Sequence, residues 1–289
     1  MAKEIEKEIE KKVDGIILTH GTDTLHYTAA ALSFILEDLP IPVILVGAQR
    51  SSDRGSSDAA MNLICAVEFI KQSDFADVAV CMHKNLNDEV SQILPGLKCR
   101  KLHSSRRDAF KPINDEAYAE VDYKKRKVKI LNGNFKQRNK NKLKLKLFKN
   151  VKVGLVKFYP NFFSDSLKPY SKYDGLVIEG TGLGHAPIHS LDKYTKEHES
   201  IFKEIKKLGK KMPVVMTTQT IYGRVNMNVY ATGRELQEIG VIGNHLDMHP
   251  ETAFIKLAWL LSNYPKKVKQ MLHENIRNEL NGRISTEFL

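Results

Sequence analysis

Near its amino terminus the chain reads Gly15-Ile16-Ile17-Leu18-Thr19-His20-Gly21-Thr22-Asp23-Thr24. The apolar run at 16–18 predicts a buried strand, and it ends abruptly at hydroxyl, imidazole and carboxylate side chains. Gly21 permits a tight turn, and the side chains at 22–24 are of the types that cap a following helix. In an open α/β sheet, ligands bind where the carboxyl end of a parallel strand meets the next helix. The stretch therefore predicts either a ligand site or an ordinary capped turn.

The same succession of strand and helix continues along the first half of the chain. Further buried strands are predicted at 43–47 and 77–82, and helices are predicted at 3–12, at 27–36 and, capped by Ser57 and Asp58, at 60–70. Strands separated by helices of this length predict right-handed βαβ crossovers and a parallel sheet. From 86 to 130 the pattern is shorter and more polar, with strands predicted at 92–94 and 127–131 near the edge of the domain.

A second α/β unit follows a segment that is dense in lysine and asparagine and lacks periodicity. Its strands are predicted at 151–158, 175–178 and 213–216, and its helices at 194–208, 252–261 and 266–280. We therefore predict an amino-terminal domain at 1–131, a linker at 132–150 and a smaller carboxyl-terminal domain at 151–289. The basic run of the linker is typical of a solvated loop, and a recognition patch is the alternative.

The composition is that of a globular protein of two domains. The chain has 289 residues, of which 42% are hydrophobic and 27% charged. No apolar run reaches membrane-spanning length and the amino terminus lacks the apolar core of a signal peptide, so we expect a cytoplasmic protein. Cys65, Cys81 and Cys99 lie in or beside apolar segments, which predicts buried thiols. The net charge of +11 suggests attraction to anionic partners, although a lysine-rich codon bias gives a similar composition.

Two motifs carry a resemblance to a known family. They are the stretch at 19–24 and the sequence Gly47-Ala48-Gln49-Arg50-Ser51-Ser52-Asp53-Arg54. Together they resemble the second catalytic segment of the bacterial-type L-asparaginases, and 47–63 (GAQRSSDRGSSDAAMNL) is similar to the asparaginase-like D subunits of archaeal glutamyl-tRNA(Gln) amidotransferases. Gly55 stands where proline is expected, a change that loosens a loop without removing chemistry. The resemblance covers nearly the whole chain and implies an α/β, two-domain asparaginase-like fold, with a parallel-sheet amino-terminal domain and a smaller α/β carboxyl-terminal domain.

The resemblance also implies which residues act. Thr22, Asp23 and Lys101 match catalytic residues, and Gly21 joins Thr22 and Asp23 in binding substrate. In that family the matching threonine and lysine form a hydrogen-bonded pair, in which the lysine is a base or an electrostatic tuner, while the aspartate binds the α-amino group of the substrate. Amide hydrolysis needs an activated nucleophile and donors for the oxyanion. Composition alone favours a surface role for Lys101, and the match of residues 103–110 to the amidotransferase subunits favours the catalytic role.

The implied function is the release of ammonia from glutamine or asparagine. In the amidotransferase this ammonia is used to convert Glu-tRNA(Gln) to Gln-tRNA(Gln) by a tRNA-binding kinase/transferase partner, the E-like subunit. ATP and Mg²⁺ are expected in that partner, and no cofactor is expected in this chain. A homodimer is implied as well, because the sites of the family lie between neighbouring subunits. A free L-asparaginase is the alternative enzyme.

Part of the family pattern has no counterpart in this sequence. In the family a first strand and loop carry a Thr-Gly-Gly-Thr-type motif with the nucleophilic threonine, and a later loop holds the carboxylate of the substrate. We therefore expect either that the sequence is truncated at its amino terminus or that the missing part is supplied otherwise, and we expect the chain as written to hydrolyse amides very poorly. A catalytically dead scaffold that keeps the fold and the partner surface is the second class of function.

A glycine-rich stretch and several histidines remain to be assigned. Residues 180–185 read GTGLGH after a predicted strand, but they lack the lysine of a phosphate-binding loop. By resemblance to the family we interpret this stretch as a wall of a site or a dimer contact. His20, His185 and His189 do not show the spacing of metal ligands, so no metal is assigned.

Overall fold

The structure is a computed structural model that describes residues 1–280. It divides the chain into two compact units, one spanning Met1–Lys146 and one starting at Leu147. Each unit is built on its own sheet with helices packed against it. The α/β architecture predicted from the alternation of strands and helices is therefore confirmed.

The first unit contains three helices and ten strands among the described residues. The helices are α1 (Ala2–Glu10), α2 (Leu25–Ile35) and α3 (Ala59–Gln72). The strands are β1 (Ile16–Thr19), β2 (Leu36–Glu37), β3 (Val43–Val46), β4 (Val78–His83), β5 (Val90–Pro95), β6 (Cys99–Lys101), β7 (Phe110–Pro112), β8 (Ala119–Asp122), β9 (Lys127–Ile130) and β10 (Lys144–Leu145).

A six-stranded sheet in the order β1-β3-β4-β5-β8-β9 forms the centre of this unit. Strands β1, β3 and β4 run parallel, with Ile17 opposite Ile44 and Ile44 opposite Ala79. Both β3 and β4 are buried along their whole length, because α2 packs against one face of the sheet and α3 against the other. This parallel arrangement is the one that the sequence predicts.

The other half of the sheet is antiparallel. Strand β5 pairs with β4 and with β8, and β8 pairs with β9, so the sheet is mixed. The predicted strands at 92–94 and 127–131 fall within or overlap β5 and β9, while β6, β7 and β8 were not predicted. These three strands are only three or four residues long and are defined by hydrogen bonds to partners elsewhere in the chain. Strands β6 and β7 form a separate hairpin.

The predicted linker at 132–150 contains the boundary between the units, but most of it packs as part of the first unit. Strand β10 pairs with β2, and the carbonyl of Lys136 accepts a hydrogen bond of 2.7 Å from the backbone N–H of Ala76. The guanidinium of Arg138 donates to three backbone carbonyls of the first unit. Polar and backbone contacts fix this segment, and such contacts leave no apolar periodicity in the sequence.

The second unit contains a sheet of three parallel strands in the order β11-β12-β13. These strands are β11 (Val153–Lys157), β12 (Gly175–Gly180) and β13 (Val214–Thr218). The helices are α4 (Glu197–Gly209), α5 (Ala231–Glu238), α6 (Pro250–Asn263) and α7 (Val268–Leu272), with 3-10 helices at Ser164–Lys172 and Pro265–Lys267. Helix α4 packs on the face of the sheet that carries Leu176 and Ile178, and α6 lies close to β12 at Gly175.

The prediction of one helix over 266–280 is wrong. Helix α7 ends at Leu272, and the chain then turns back so that the Glu279 carboxylate meets the ammonium of Lys256 in α6. The same ammonium donates to the carbonyls of Leu272 and Glu274 at 2.9 and 2.7 Å. Tertiary contacts of one buried lysine therefore end the helix. The last part of the predicted domain, 281–289, lies outside the described residues.

Two further sequence expectations concern the cysteines and membranes. Cys65, Cys81 and Cys99 are free and buried, as predicted, and burial raises the pKa of each thiol. Within residues 1–280, no helix is long and apolar enough to cross a membrane.

Candidate functional site

The loop after β1 is anchored by His20. Its backbone N–H donates to the carbonyl of Val46 in β3 at 2.9 Å. The ring Nδ1 lies 2.6 Å from the carbonyl oxygen of Gly21, so Nδ1 carries the proton and Nε2 accepts from the Thr28 hydroxyl at 2.9 Å. With both ring nitrogens engaged, the imidazole ties the turn to α2 and fixes where the next residues lie.

Lys101 reaches this loop from the end of the β6–β7 hairpin. Its ammonium donates to the Thr22 hydroxyl oxygen at 2.9 Å and to the Asp23 carboxylate at 2.7 Å. The family resemblance implies that Thr22 and Lys101 form a hydrogen-bonded pair, and this contact is confirmed. The two residues are 79 positions apart in the chain, so the contact depends on the whole first unit being folded.

The side chains of Lys101 and Asp23 differ in their exposure to solvent. The side chain of Lys101 is 11% exposed, whereas that of Asp23 is 94% exposed. The hydrogen bond from Lys101 holds the pKa of the Asp23 carboxyl below its usual value, so this group is an anion at neutral pH. Because Lys101 donates to the oxygen of Thr22, the hydroxyl proton of Thr22 remains available to another acceptor.

Gly47, which follows β3, allows the loops after β1 and β3 to lie in contact. A Cβ added there would lie 2.9 Å from Cγ2 of Thr22, 3.0 Å from Cδ1 of Leu25 and 3.2 Å from the carbonyl oxygen of His20. All three distances are shorter than ordinary van der Waals contacts. The glycine is therefore required by the close approach of Thr22 and not by an unusual backbone angle.

Two cavities adjoin these loops. One, of about 480 Å³, lies between the ends of β1 and β3 and the start of α3; its lining includes Gly21, Gly47, Ala48 and Ser52. The other, of about 280 Å³, is lined by residues that include Asp23 and Lys101. Gly21, which was predicted to bind substrate, thus lines the larger cavity, and the charged pair lines the smaller one.

The sequence does not indicate the role of Asp58. It predicts a helix cap, and Asp58 does precede α3, but its side chain makes no capping hydrogen bond. The buried carboxylate instead accepts from the backbone N–H groups of Gln49 and Arg50, both at 3.0 Å. Asp58 therefore shapes the loop that walls the larger cavity. An acidic residue at a helix start looks the same in either role, so no local signal distinguishes them.

The glycine-rich stretch at 180–185 lies in the second unit. With residues 220–226 it lines a cavity of about 340 Å³, to which Gly182, Leu183, Thr220, Tyr222 and Arg224 contribute. Gly182 and Gly184 have φ values of +51° and +93°, which glycine adopts most readily. The proposed wall or dimer contact at this stretch stays a prediction. Among residues 1–280, no group of three or more His, Cys, Asp or Glu side chains is arranged to hold a metal ion.

Family models match both units. Residues 1–134 match the model described as asparaginase, N-terminal, and residues 152–272 match the model described as glutaminase/asparaginase C-terminal domain. The interval between the two matches contains the boundary that the structure places at Lys146 and Leu147.

Relatives of the chain match it over nearly its whole length. It is 45% identical to the D subunit of the glutamyl-tRNA(Gln) amidotransferase of Methanobrevibacter smithii, over 99% of this chain and 64% of that relative. It is 47% identical to the protein of the same name from Methanococcus maripaludis, over 99% of this chain and 66% of that relative. The chain thus spans slightly less than two thirds of the length of these relatives.

A solved structure supports the fold. The chain is similar to the thermostable L-asparaginase from Thermococcus kodakarensis, with a TM-score of 0.83 and 29% identity. The match covers 97% of this chain and 81% of that one. The asparaginase-like two-domain fold that the sequence motifs imply is therefore confirmed.

Proposed function

Because the chain belongs to the asparaginase family, we propose that it is the part of a tRNA-dependent amidotransferase that releases ammonia from the side-chain amide of glutamine. The contact of the Lys101 ammonium with both Thr22 and Asp23 carries this proposal. It joins a hydroxyl, a cation and an exposed anion beside two cavities. The names of the two archaeal relatives support the assignment to the amidation of Glu-tRNA(Gln).

Each of the three side chains has a distinct role in this proposal. Hydrolysis consumes one water molecule: the C–N bond of the carboxamide breaks, the carbonyl carbon forms a C–O bond to the water oxygen, and one proton of that water passes to the nitrogen, which leaves as ammonia. The Thr22 hydroxyl relays that proton, and the Lys101 ammonium stabilises the negative charge that develops on the Thr22 oxygen. Asp23 binds the α-ammonium group of the substrate, because its exposed carboxylate is held as an anion.

Two other functions remain as alternatives. A free L-asparaginase is favoured by the structural match to the enzyme from Thermococcus kodakarensis, which is named for that activity. Both substrates present a carboxamide and an α-amino group, so the same three residues serve either reaction. The second alternative is a scaffold without catalysis. It differs from both enzymes because neither the 289-residue chain nor a longer form of the protein would release ammonia.

The role of Asp23 gives a sharp test of the substrate class. We expect the protein to prefer L-glutamine over 4-carbamoylbutanoate, the same molecule without its α-amino group. Asp23→Asn should remove most of this preference, because the charge that recognises the ammonium is lost; hydrogen-bonded and ionic recognition of this kind is worth at least about tenfold. The measurement is ammonia release from both compounds and from L-asparagine.

The matched control is Asp165→Asn, which removes a carboxylate that pairs with Lys168 on the surface of the second unit. It should leave the preference unchanged. Both the 289-residue chain and the chain extended by any in-frame sequence that precedes it in the gene should be assayed. Equal preference of Asp23→Asn and the unaltered protein for glutamine over the analogue would remove Asp23 from substrate recognition.

We also propose that the ammonia is consumed by a partner protein that binds Glu-tRNA(Gln) and supplies ATP and Mg²⁺, and that this chain forms a homodimer. Both archaeal relatives are named as one subunit of an amidotransferase, which supports the existence of partner chains. Co-expression with the product of a neighbouring E-like gene, followed by light scattering, tests both statements. A complex with two copies of each chain is expected, and an unassociated monomer in the presence of that product contradicts the proposal.

A further inference from the structure

A chain of buried polar contacts starts at the site and leads away from it through Asn62. This residue lies on α3 and is fully buried. Its Nδ2 donates to the carbonyl of Gly47 at 3.1 Å, and its Oδ1 accepts from the Ser91 hydroxyl at 3.1 Å. Asn62 therefore holds the residue that immediately precedes the loop walling the larger cavity, which we call the 48–57 loop.

The contacts continue through His83 at the end of β4. Its Nδ1 lies 2.8 Å from Oδ1 of Asn62, and its Nε2 lies 3.2 Å from Oδ1 of Asp88. The His83 side chain is completely buried, whereas Asp88 is on the surface. The hydrogen bonds of His83 and Arg107 hold the pKa of the Asp88 carboxyl below its usual value, so these contacts are made to a carboxylate.

Arg107 closes the chain of contacts into a ring. One of its terminal nitrogens pairs with Asp88, and the other donates to the backbone carbonyl of Ser56 at 2.8 Å. The Arg107 side chain is only 14% exposed. Ser56 lies near the carboxyl end of the 48–57 loop, and Gly47 immediately precedes the loop. The ring of contacts therefore holds the loop at both ends.

The same segment of chain carries Lys101. Arg107 follows Lys101 by six residues, in the connection between β6 and β7. The two side chains contact different loops of the site: Lys101 contacts the loop after β1, and Arg107 contacts the loop after β3. One connection thus fixes both loops relative to each other.

We propose that Arg107 is a positioning residue that, together with Asp88, holds the 48–57 loop in the shape that binds the carboxamide substrate. This rests on the proposed function, because the loop supplies Ala48 and Ser52 to the wall of the larger cavity. Arg107 has no contact with Thr22, Asp23 or Lys101 among the hydrogen bonds and ion pairs of the described residues. Its loss therefore loosens substrate binding and leaves the reacting groups in place.

The first experiment measures the order of the loop without using activity. Arg50 and Arg54 are trypsin sites inside the 48–57 loop, and both are exposed. Arg107→Gln removes the hydrogen bond from the guanidinium to the Ser56 carbonyl. We therefore expect cleavage after Arg50 and Arg54 to accelerate about tenfold, the ratio that corresponds to one hydrogen bond to a charged group. Mass spectrometry of the fragments identifies the cleaved bonds.

Arg106→Gln is the matched control. The Arg106 side chain pairs with Asp108 at 2.7 Å and not with the loop, although it precedes Arg107 directly and carries the same charge. It should leave cleavage at Arg50 and Arg54 unchanged. Equal cleavage rates in Arg107→Gln and the unaltered chain, at equal melting temperature, would overturn the proposal whether or not the chain hydrolyses amides.

A second experiment separates positioning from a general loss of structure. In the active form of the protein, Arg107→Gln and Asp88→Asn should each raise KM for the amide about tenfold and change kcat less than about threefold. The double variant should be no worse than either single variant, because both changes break the same ring. A fall in kcat with unchanged KM, or additive effects of the two substitutions, contradicts this role. Faster loop cleavage, with no hydrolysis by either the 289-residue chain or the extended chain, would instead support the ring and reject the proposed function.

Discussion

At the scale of single residues, the lack of space between Gly47 and Thr22 restricts which residue can stand at position 47. The methyl group of Thr22 occupies the space into which a side chain at Gly47 would extend. Thr22 is held from its other side by Lys101. A substitution at Gly47 therefore moves Thr22 or breaks its hydrogen bond.

We predict that Gly47→Ala destabilises the first unit by about 1–3 kcal/mol, the usual cost of overpacking, and also lowers the rate of ammonia release. Hydrogen exchange of the β3 amides measures the first effect, because β3 adjoins Gly47 in the chain. Gly55→Ala is the control, since no atom lies within 4 Å of a Cβ added at Gly55. Equal protection of the β3 amides in the two variants would contradict the steric role of Gly47.

The candidate site shows what the sequence can reveal about individual residues and what it cannot. Thr22 and Asp23 stand in a short motif at the end of an apolar run, so their placement at the sheet edge is predictable. Asn62 and Asp58 give no such signal, because a polar residue in the first turns of a helix is usually a cap or a surface group. Their main partners, which are backbone groups for Asp58 and both backbone and side-chain groups for Asn62, come near only in the folded chain.

At the scale of whole elements, one buried ion pair joins the middle of α6 to the segment that follows α7. Lys256 and Glu279 are both fully buried, and Glu279 also accepts from the backbone N–H groups of Ile276 and Arg277 at 3.1 and 2.6 Å. Burial lowers the pKa of Lys256, and the charge of Glu279 opposes that shift. Neither charge has water as an alternative partner, so each depends on the other.

We predict that Lys256→Met destabilises the second unit by about 3–5 kcal/mol, because it leaves the Glu279 carboxylate buried without its cation. The double variant Lys256→Met/Glu279→Gln should recover part of this loss. Urea unfolding followed by tryptophan fluorescence measures the effect, since the one tryptophan of the chain, Trp259, is buried in α6.

Lys203→Met is the control for that measurement. Lys203 and Glu199 form an exposed pair at 3.8 Å on α4, and such pairs contribute about 0–1 kcal/mol. If the Lys256 and Lys203 variants unfold at the same urea concentration, the buried pair does not stabilise the packing of α6 against the segment that follows α7.

Strands and helices were predictable where their burial leaves a pattern of apolar residues in the sequence. The strands β1, β3 and β4 are apolar over most of their length because they lie between layers of helices, and this pattern is visible in the sequence. The antiparallel strand β8 and the β6–β7 hairpin have mixed composition and form only when their partners are present. The hairpin brings Lys101 to Thr22, so the sequence could suggest that contact only through resemblance to a family.

At the scale of the whole molecule, the division into two α/β units was predictable, whereas the packing of most of the linker with the first unit was not. Both units show runs of apolar residues separated by helical patterns. The boundary lies between Lys146 and Leu147, inside the predicted linker, because β10 completes a two-stranded sheet with β2. A two-residue strand of one lysine and one leucine cannot be distinguished from a loop in the sequence.

The central claim is that the Thr22 hydroxyl, tuned by Lys101, takes part in amide hydrolysis, and Thr22→Val tests it most directly. Valine keeps the shape of threonine and replaces its hydroxyl with a methyl group. The measurement is the rate of ammonia release from L-glutamine by the extended chain, because the 289-residue chain is expected to hydrolyse amides very poorly. Thr24→Val, two residues further along the chain, is the control, since the Thr24 side chain makes no capping hydrogen bond. We predict a loss of at least about 100-fold for Thr22→Val and less than about threefold for Thr24→Val. Ammonia release by Thr22→Val at the rate of the unaltered protein would contradict the claim.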